Sequence, residues 1–125
     1  MDISIVSGTY NRLPSLQRMV ESIRQSFIGL HGLTYQVVLV DGGSQDGSQA
    51  WCLEQSDILL IEHGSLLGAV KAFNDGAYAA TGDYVILAND DIEFVGESIL
   101  TAYIYMQTHP DCGIGCFFQN RNGRD

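Results

Sequence analysis

Short apolar runs and longer amphipathic stretches alternate along the chain. Ile3 to Ser7 is a β-rich run closed by Gly8-Thr9-Tyr10-Asn11, turn chemistry that offers a helix cap. Leu13, Leu16, Val20, Ile23 and Phe27 then recur at three- and four-residue steps with Arg18, Glu21 and Arg24 between them. That spacing predicts an amphipathic helix with Pro14 in its first turn and an end near Gly29 and Gly32. Tyr35 to Val40 is a second strand, and Ser44 or Asp46 in the loop after it is placed to cap a short helix through Trp51 and Leu53. Ile58 to Ile61 is a third strand. From Leu67 to Ala80 the helical period returns, with Leu67, Val70, Phe73, Ala77 and Ala80 on one side. Tyr84-Val85-Ile86-Leu87-Ala88 is apolar without interruption, as a buried parallel strand reads, and stops at Asn89-Asp90-Asp91. A helix over Ser98 to Thr108 turns Ile99, Tyr103 and Met106 inward and stops at His109-Pro110; Gly113 to Phe118 reads as a further strand, and Gln119 to Asp125 as a loose polar tail.

This order predicts right-handed βαβ units and an α/β fold: a Rossmann-like, mostly parallel sheet with helices on both faces, occupying residues 1–118 as one domain. With 125 residues, 46% of them hydrophobic and 17% charged, the chain is long enough for a single core. No run of about 18 apolar residues is present, so a transmembrane segment is not expected, and Met1 to Val20 lacks the pattern of a signal peptide. The location read from this is cytoplasmic. Cys52, Cys112 and Cys116 form no zinc pattern and read as reduced thiols. A net charge of −9 excludes nucleic acid as a partner by repulsion, and it requires any phosphate ligand to arrive with a cation.

The polar groups with chemical reach fall where strands end. The loops after the first strand (Thr9, Tyr10), the second (Asp41, Gly42, Gly43) and the fourth (Asn89, Asp90, Asp91) share the C-terminal edge of one sheet, where open α/β folds hold ligands. The last trio presents hard oxygen donors with no thiol or imidazole, which selects Mg²⁺ or Mn²⁺ over Zn²⁺ for any metal held there; taken alone, an Asp-Asp pair is more often a turn or a cap. Three glycines between Gly42 and Gly47 give backbone room for a ligand. That loop lacks the carboxylates of a calcium hand and the Gly-Lys-Ser/Thr of a phosphate loop, and no G-x-G-x-x-G follows the first strand. His63 reads as a solvated or locally bonded group and is not assigned to catalysis.

The series Ile5-Val6-Ser7-Gly8-Thr9-Tyr10-Asn11-Arg12, Val40-Asp41-Gly42-Gly43-Ser44-Gln45-Asp46-Gly47-Ser48, Asn74-Asp75-Gly76, Ala80-Thr81-Gly82-Asp83-Tyr84 and Asn89-Asp90-Asp91 resembles the nucleotide-binding half of family 2 glycosyltransferases with the GT-A fold, as far as about Phe94. The resemblance implies that Thr9 and Tyr10 lie beside the nucleobase, that Asp41 hydrogen-bonds it with Gly42 and Gly43 close by, and that Asn89-Asp90-Asp91 stands for the D-x-D motif. In that motif Asp91 coordinates the Mg²⁺ or Mn²⁺ that bridges the diphosphate, and Asp90 helps to hold the ribose or metal-bound water. It further implies a nucleotide-diphosphate sugar as donor, a UDP-sugar in the first instance, an acceptor glycan or lipid-linked hydroxyl, and inversion at the anomeric carbon. Two positions depart from the pattern: Gly42 stands where a second Asp is frequent, and Asn89 replaces the first D-x-D carboxylate. The acceptor half and catalytic base of the family lie beyond the D-x-D motif, which makes a partial enzyme, slow or inert in transfer, the expectation for 125 residues. Three classes follow, in this order: transferase, nucleotide-binding module without turnover, and nucleotidyltransferase.

Overall fold

The computed structural model describes residues 1–30 and 32–117. Four strands and four helices alternate: β1 (Ile3–Thr9), α1 (Leu13–Phe27), β2 (Tyr35–Asp41), α2 (Ser48–Leu53), β3 (Ile58–Glu62), α3 (Ala69–Ala79), β4 (Tyr84–Leu87) and α4 (Ser98–Thr108). All strand pairs are parallel, in the order β3-β2-β1-β4, so β1 and β2 are central. Ile5 of β1 pairs with Val37 on one side and Ile86 on the other.

Because side chains alternate along a strand, the two faces of the sheet meet different helices. On one face Ile3, Ile5, Val37 and Leu39 pack with Leu16, Met19, Val20, Ile23 and Phe27 of α1, Cys52 of α2 and Ile99 of α4. On the other face α3 lies against β1 and β2 so closely that a Cβ on Gly76 would run into Val6 and approach Val40. Glycine at that helix position lets two backbones close up, at the usual cost in helix propensity.

Several expected details differ. β4 is an edge strand with one face open: Val85 is 43% and Leu87 57% exposed, so the apolar run is not a buried strand. The inward face of α3 is Ala72, Phe73 and Gly76, while Val70 and Ala77 point outward, because the helix approaches the sheet through its smallest residues. Gly113 to Phe117 forms no strand; it pairs with none of the described strands and contributes an edge contact of Phe117 on Phe94, ring centroids 5.6 Å apart. Phe118 and the tail Gln119 to Asp125 lie outside the described residues.

Asn11 does not cap α1. It has a left-handed backbone (φ 49°), and the N-cap position is Arg12, which makes no side-chain capping bond. The free N–H of Leu13 instead donates to Asp46 Oδ2 at 3.0 Å, while Asp46 Oδ1 accepts from the Ser48 N–H at 3.1 Å and its hydroxyl at 2.5 Å. One carboxylate thus closes the first turns of both α1 and α2, where the exposed N–H groups favour an anion. Farther along α1, Arg24 grips Asp57 in a two-pronged ion pair at 2.8 and 2.9 Å, and Tyr35 donates to the same carboxylate at 2.7 Å, tying α1 and β2 to the turn before β3.

Candidate functional site

Strand polarity brings the ends of β1, β2 and β4 to one sheet edge, and a cleft of about 540 Å³ opens there. Its walls include Thr9, Tyr10, Gly42, Asn89, Asp90 and Asp91. The opposite wall is the segment leading into α3, with Leu66, Leu67, Gly68 and Ala69, followed by Ala72 and Phe73 on the helix itself. Gly8 belongs to the floor, where a Cβ would sit 3.3 Å from Ala72 Cβ.

The acidic pair is divided by burial. Asp90 is 7% exposed, and its Oδ2 accepts a hydrogen bond from the Thr9 hydroxyl at 2.9 Å, which holds the carboxylate still. Asp91 is exposed. Arg12, from the turn after β1, faces both: its Nη1 is 3.5 Å from Asp90 Oδ1 and 3.7 Å from Asp91 Oδ2. Two carboxylate oxygens therefore look toward one cationic point at the mouth of the cleft. Among the described residues no group of three or more His, Cys, Asp or Glu side chains is placed to hold a metal. Two carboxylates with open water positions nevertheless fit the way Mg²⁺ or Mn²⁺ sits with substrate phosphates, through one or two protein carboxylates.

Asp41 and Gly43 are not among the cleft-lining residues. Asp41 is 1% exposed, and its carboxylate accepts from the Gly43 N–H at 3.0 Å, the Ser44 N–H at 2.9 Å, the Ser44 hydroxyl at 2.5 Å and the Gln49 amide at 2.7 Å. Burial alone would raise its pKa, but these bonds outweigh it and hold the carboxyl below its ordinary value. Four donors meet about four lone-pair positions, so Asp41 organises the loop that Gly42 presents to the cleft. The room made by the glycines is taken by the protein itself. A Cβ on Gly42 would fall 2.7 Å from Leu66 Cδ2, and one on Gly43 (φ 95°) 2.6 Å from the Gly64 carbonyl oxygen.

Of the residues singled out from sequence, Thr9, Tyr10, Gly42, Asn89, Asp90 and Asp91 meet around one cleft, whereas Asp41 and Gly43 stand behind it. His63 reaches the wall as well, with Nε2 2.7 Å from Asp75 Oδ2, and Lys71 donates to the other oxygen of Asp75 at 3.1 Å. The Lys71 bond first, then the His63 bond, lowers the Asp75 pKa. The Leu66–Leu67–Gly68 wall was the harder part to foresee. Its apolar residues continue the period of α3 and read as the start of that helix, although the glycine (φ 91°) marks where the helix begins.

A parallel four-stranded sheet with helices on both faces is the architecture of the GT-A glycosyltransferase fold. The chain belongs to glycosyl transferase family 2, whose profile matches residues 4–125. It is 31% identical over 131 aligned positions to YwdF of Bacillus subtilis (strain 168), an uncharacterized glycosyltransferase; the alignment covers 98% of this chain and 46% of that one. Among solved structures, S. aureus TarS 1-349 in complex with UDP-GlcNAc superposes with a TM-score of 0.72 at 19% identity, over 88% of this chain and 32% of TarS. The mannosyltransferase PcManGT from Pyrobaculum calidifontis, in complex with GDP-Man and Mn²⁺, gives 0.63 at 23% identity, over 78% and 30%. The chain thus spans about half the length of the curated relative and about a third of the solved ones. Among the described residues no helix is long and apolar enough to cross a membrane.

Proposed function

We propose that residues 1–118 form the donor-binding unit of an inverting glycosyltransferase, taking a nucleotide-diphosphate sugar, UDP-linked in the first instance, in the cleft at the C-terminal edge of the sheet. The observation that carries this reading is the convergence of Asp90 Oδ1 and Asp91 Oδ2 on one point at the cleft mouth, with Thr9 holding the other oxygen of Asp90, beside the exposed ring of Tyr10. Family membership favours a transferase over a nucleotidyltransferase. UDP-GlcNAc in TarS and GDP-Man with Mn²⁺ in PcManGT support a sugar nucleotide and a divalent ion as ligands.

Asp91, with Asp90 behind it, holds the Mg²⁺ or Mn²⁺, Asn89 lies next to them, and when bound the ion neutralises charge on the departing diphosphate. Thr9 fixes the orientation of Asp90. Tyr10 offers its ring to the base. Asp41 supports base binding from behind the cleft, holding the loop that presents Gly42 through its bonds from Gly43, Ser44 and Gln49. The acceptor, a glycan or lipid-linked hydroxyl, is assigned to the portion that longer relatives carry. Three free thiols, Cys52, Cys112 and Cys116, fit a reducing, cytoplasmic location.

Calorimetric titration of UDP and GDP with Mn²⁺, and again with excess chelator, tests the reading. Binding should depend on the ion, and Asp91→Ala should abolish that dependence, whereas Asp41→Ala should weaken nucleotide binding in both conditions. Equal binding of UDP in chelator would remove the metal role; no binding under any condition would remove the donor site.

A further inference from the structure

The backbone that carries Arg12 is pinned while its side chain is exposed and loosely held. Asn11 donates its N–H to Ser44 Oγ at 2.9 Å and accepts from the Gln45 N–H at 2.7 Å through Oδ1, which anchors the turn to the loop after β2. The Arg12 side chain is 58% exposed and spans Asp90 and Asp91 at 3.5 and 3.7 Å. Both distances exceed those of a good hydrogen bond, so the contact is a screened Coulombic one, easily broken, and not a rigid fork. Other cations do not compete for this place. Lys71 is held by Asp75 and Arg24 by Asp57, and among the described residues Arg12 is the cationic side chain that faces the acidic pair.

We propose that Arg12 is the resident counter-ion of the Asp90–Asp91 pair, which a divalent ion must displace, and that the released guanidinium then meets the diphosphate, making metal and nucleotide bind cooperatively. The proposal rests on the reading of Asp90 and Asp91 as metal ligands. Its logic is exchange of partners. Two carboxylates satisfied by Arg12 lose part of their attraction for a metal alone, because the incoming ion gains their charge only by giving Arg12 back to solvent. When a diphosphate arrives with the ion, Arg12 exchanges two carboxylates for phosphate oxygens, and in a chain of net charge −9 few other cationic partners for a phosphate are at hand. Whatever UDP does to Mn²⁺ affinity, Mn²⁺ does equally to UDP affinity.

The test is Mn²⁺ binding followed by the electron paramagnetic resonance signal of the free aqueous ion, with and without UDP, on the wild type, Arg12→Gln, Arg12→Lys and Asp91→Asn. Arg12→Gln should bind Mn²⁺ alone about threefold to tenfold more tightly than the wild type, the range expected for two exposed ion pairs. In that variant the factor by which UDP strengthens Mn²⁺ binding should shrink by about threefold or more. Arg12→Lys, which keeps the charge, should stay within about twofold of the wild type in Mn²⁺ affinity. Unchanged or weaker Mn²⁺ binding by Arg12→Gln, with Asp91→Asn binding lost, overturns the role of Arg12 and leaves the metal site standing. An undiminished UDP effect in Arg12→Gln overturns the coupling. Absence of Mn²⁺ binding in the wild type, with or without UDP, removes the metal reading and this proposal together.

Discussion

The middle of the sheet and its β4 edge are built from equally apolar sequence and behave oppositely. Val37, Val38 and Leu39 are fully buried, sealed by helices above and below, whereas two residues of β4, Val85 and Leu87, stand 43% and 57% exposed on the α3 side. Hydropathy describes what a residue gains from burial; the neighbours determine whether it is buried. Leu66, Leu67, Val70 and Tyr78, on and before α3, are exposed as well, so the α3 side of the molecule carries more uncovered apolar residues than the sealed centre of the sheet.

The contrast is measurable. Leu39→Ala should cost about 2–5 kcal/mol in denaturant unfolding, because the cavity it leaves lies between packed layers, and a loss below about 1 kcal/mol would show that the centre is not sealed. Gly76→Ala comes next: alanine is the better helix former, but its methyl would collide with Val6, and overpacking of this kind should cost about 1–3 kcal/mol net. A gain in stability there would mean that α3 floats away from the sheet.

Smaller, and dependent on pH, is the clamp at Asp57. The Arg24 bond above all, against opposing burial, holds this carboxyl below its ordinary value, while burial first and the Asp57 bond second push the Tyr35 phenol up to about 12. A carboxyl with a depressed folded pKa stabilises the fold above the unfolded value near pH 4, and the benefit disappears as pH falls through the folded value. The wild type should therefore exceed Asp57→Asn in stability by about 1–2 kcal/mol at pH 7, and the gap should narrow below about pH 4; a constant gap would mean that only the loss of shape matters. The smallest effect belongs to the open edge: Leu87→Ala should change unfolding by no more than about 0.5 kcal/mol, and a loss like that of Leu39→Ala would show β4 to be covered in solution.

The alternation of elements, their order and the place of the cleft were legible because hydrophobic period and strand-end polarity are local signals. What was not legible depends on partners. The exposure of β4 follows from its having β1 on one side and nothing described on the other. The face of α3 misleads because the helical period includes Val70 and Ala77, while the sheet accepts Ala72 and Gly76. The apolar run from Gly113 read as a strand, yet hydropathy does not bring a segment to a sheet edge, and this one pairs with none of the described strands. Asp41 and the glycines beside it were recognised as a loop facing a ligand, but three donors from Gly43 and Ser44 in that loop and a fourth, the Gln49 amide of α2, turn its carboxylate inward, which no local pattern announces.

The shared cap at Asp46 has a kinetic meaning. Since one carboxylate closes the first turns of α1 and α2, neither helix start can fray without loosening the other, and the Asn11 to Ser44 bridge fastens the same two loops a few residues away. The amides of Leu13 and Ser48, far apart in sequence, belong to one opening unit and should exchange with deuterium at matching rates. The floor under Tyr10 and Arg12 then breathes as a single hinge-free plate, so that the encounter with a ligand is set by side chains moving on a steady base.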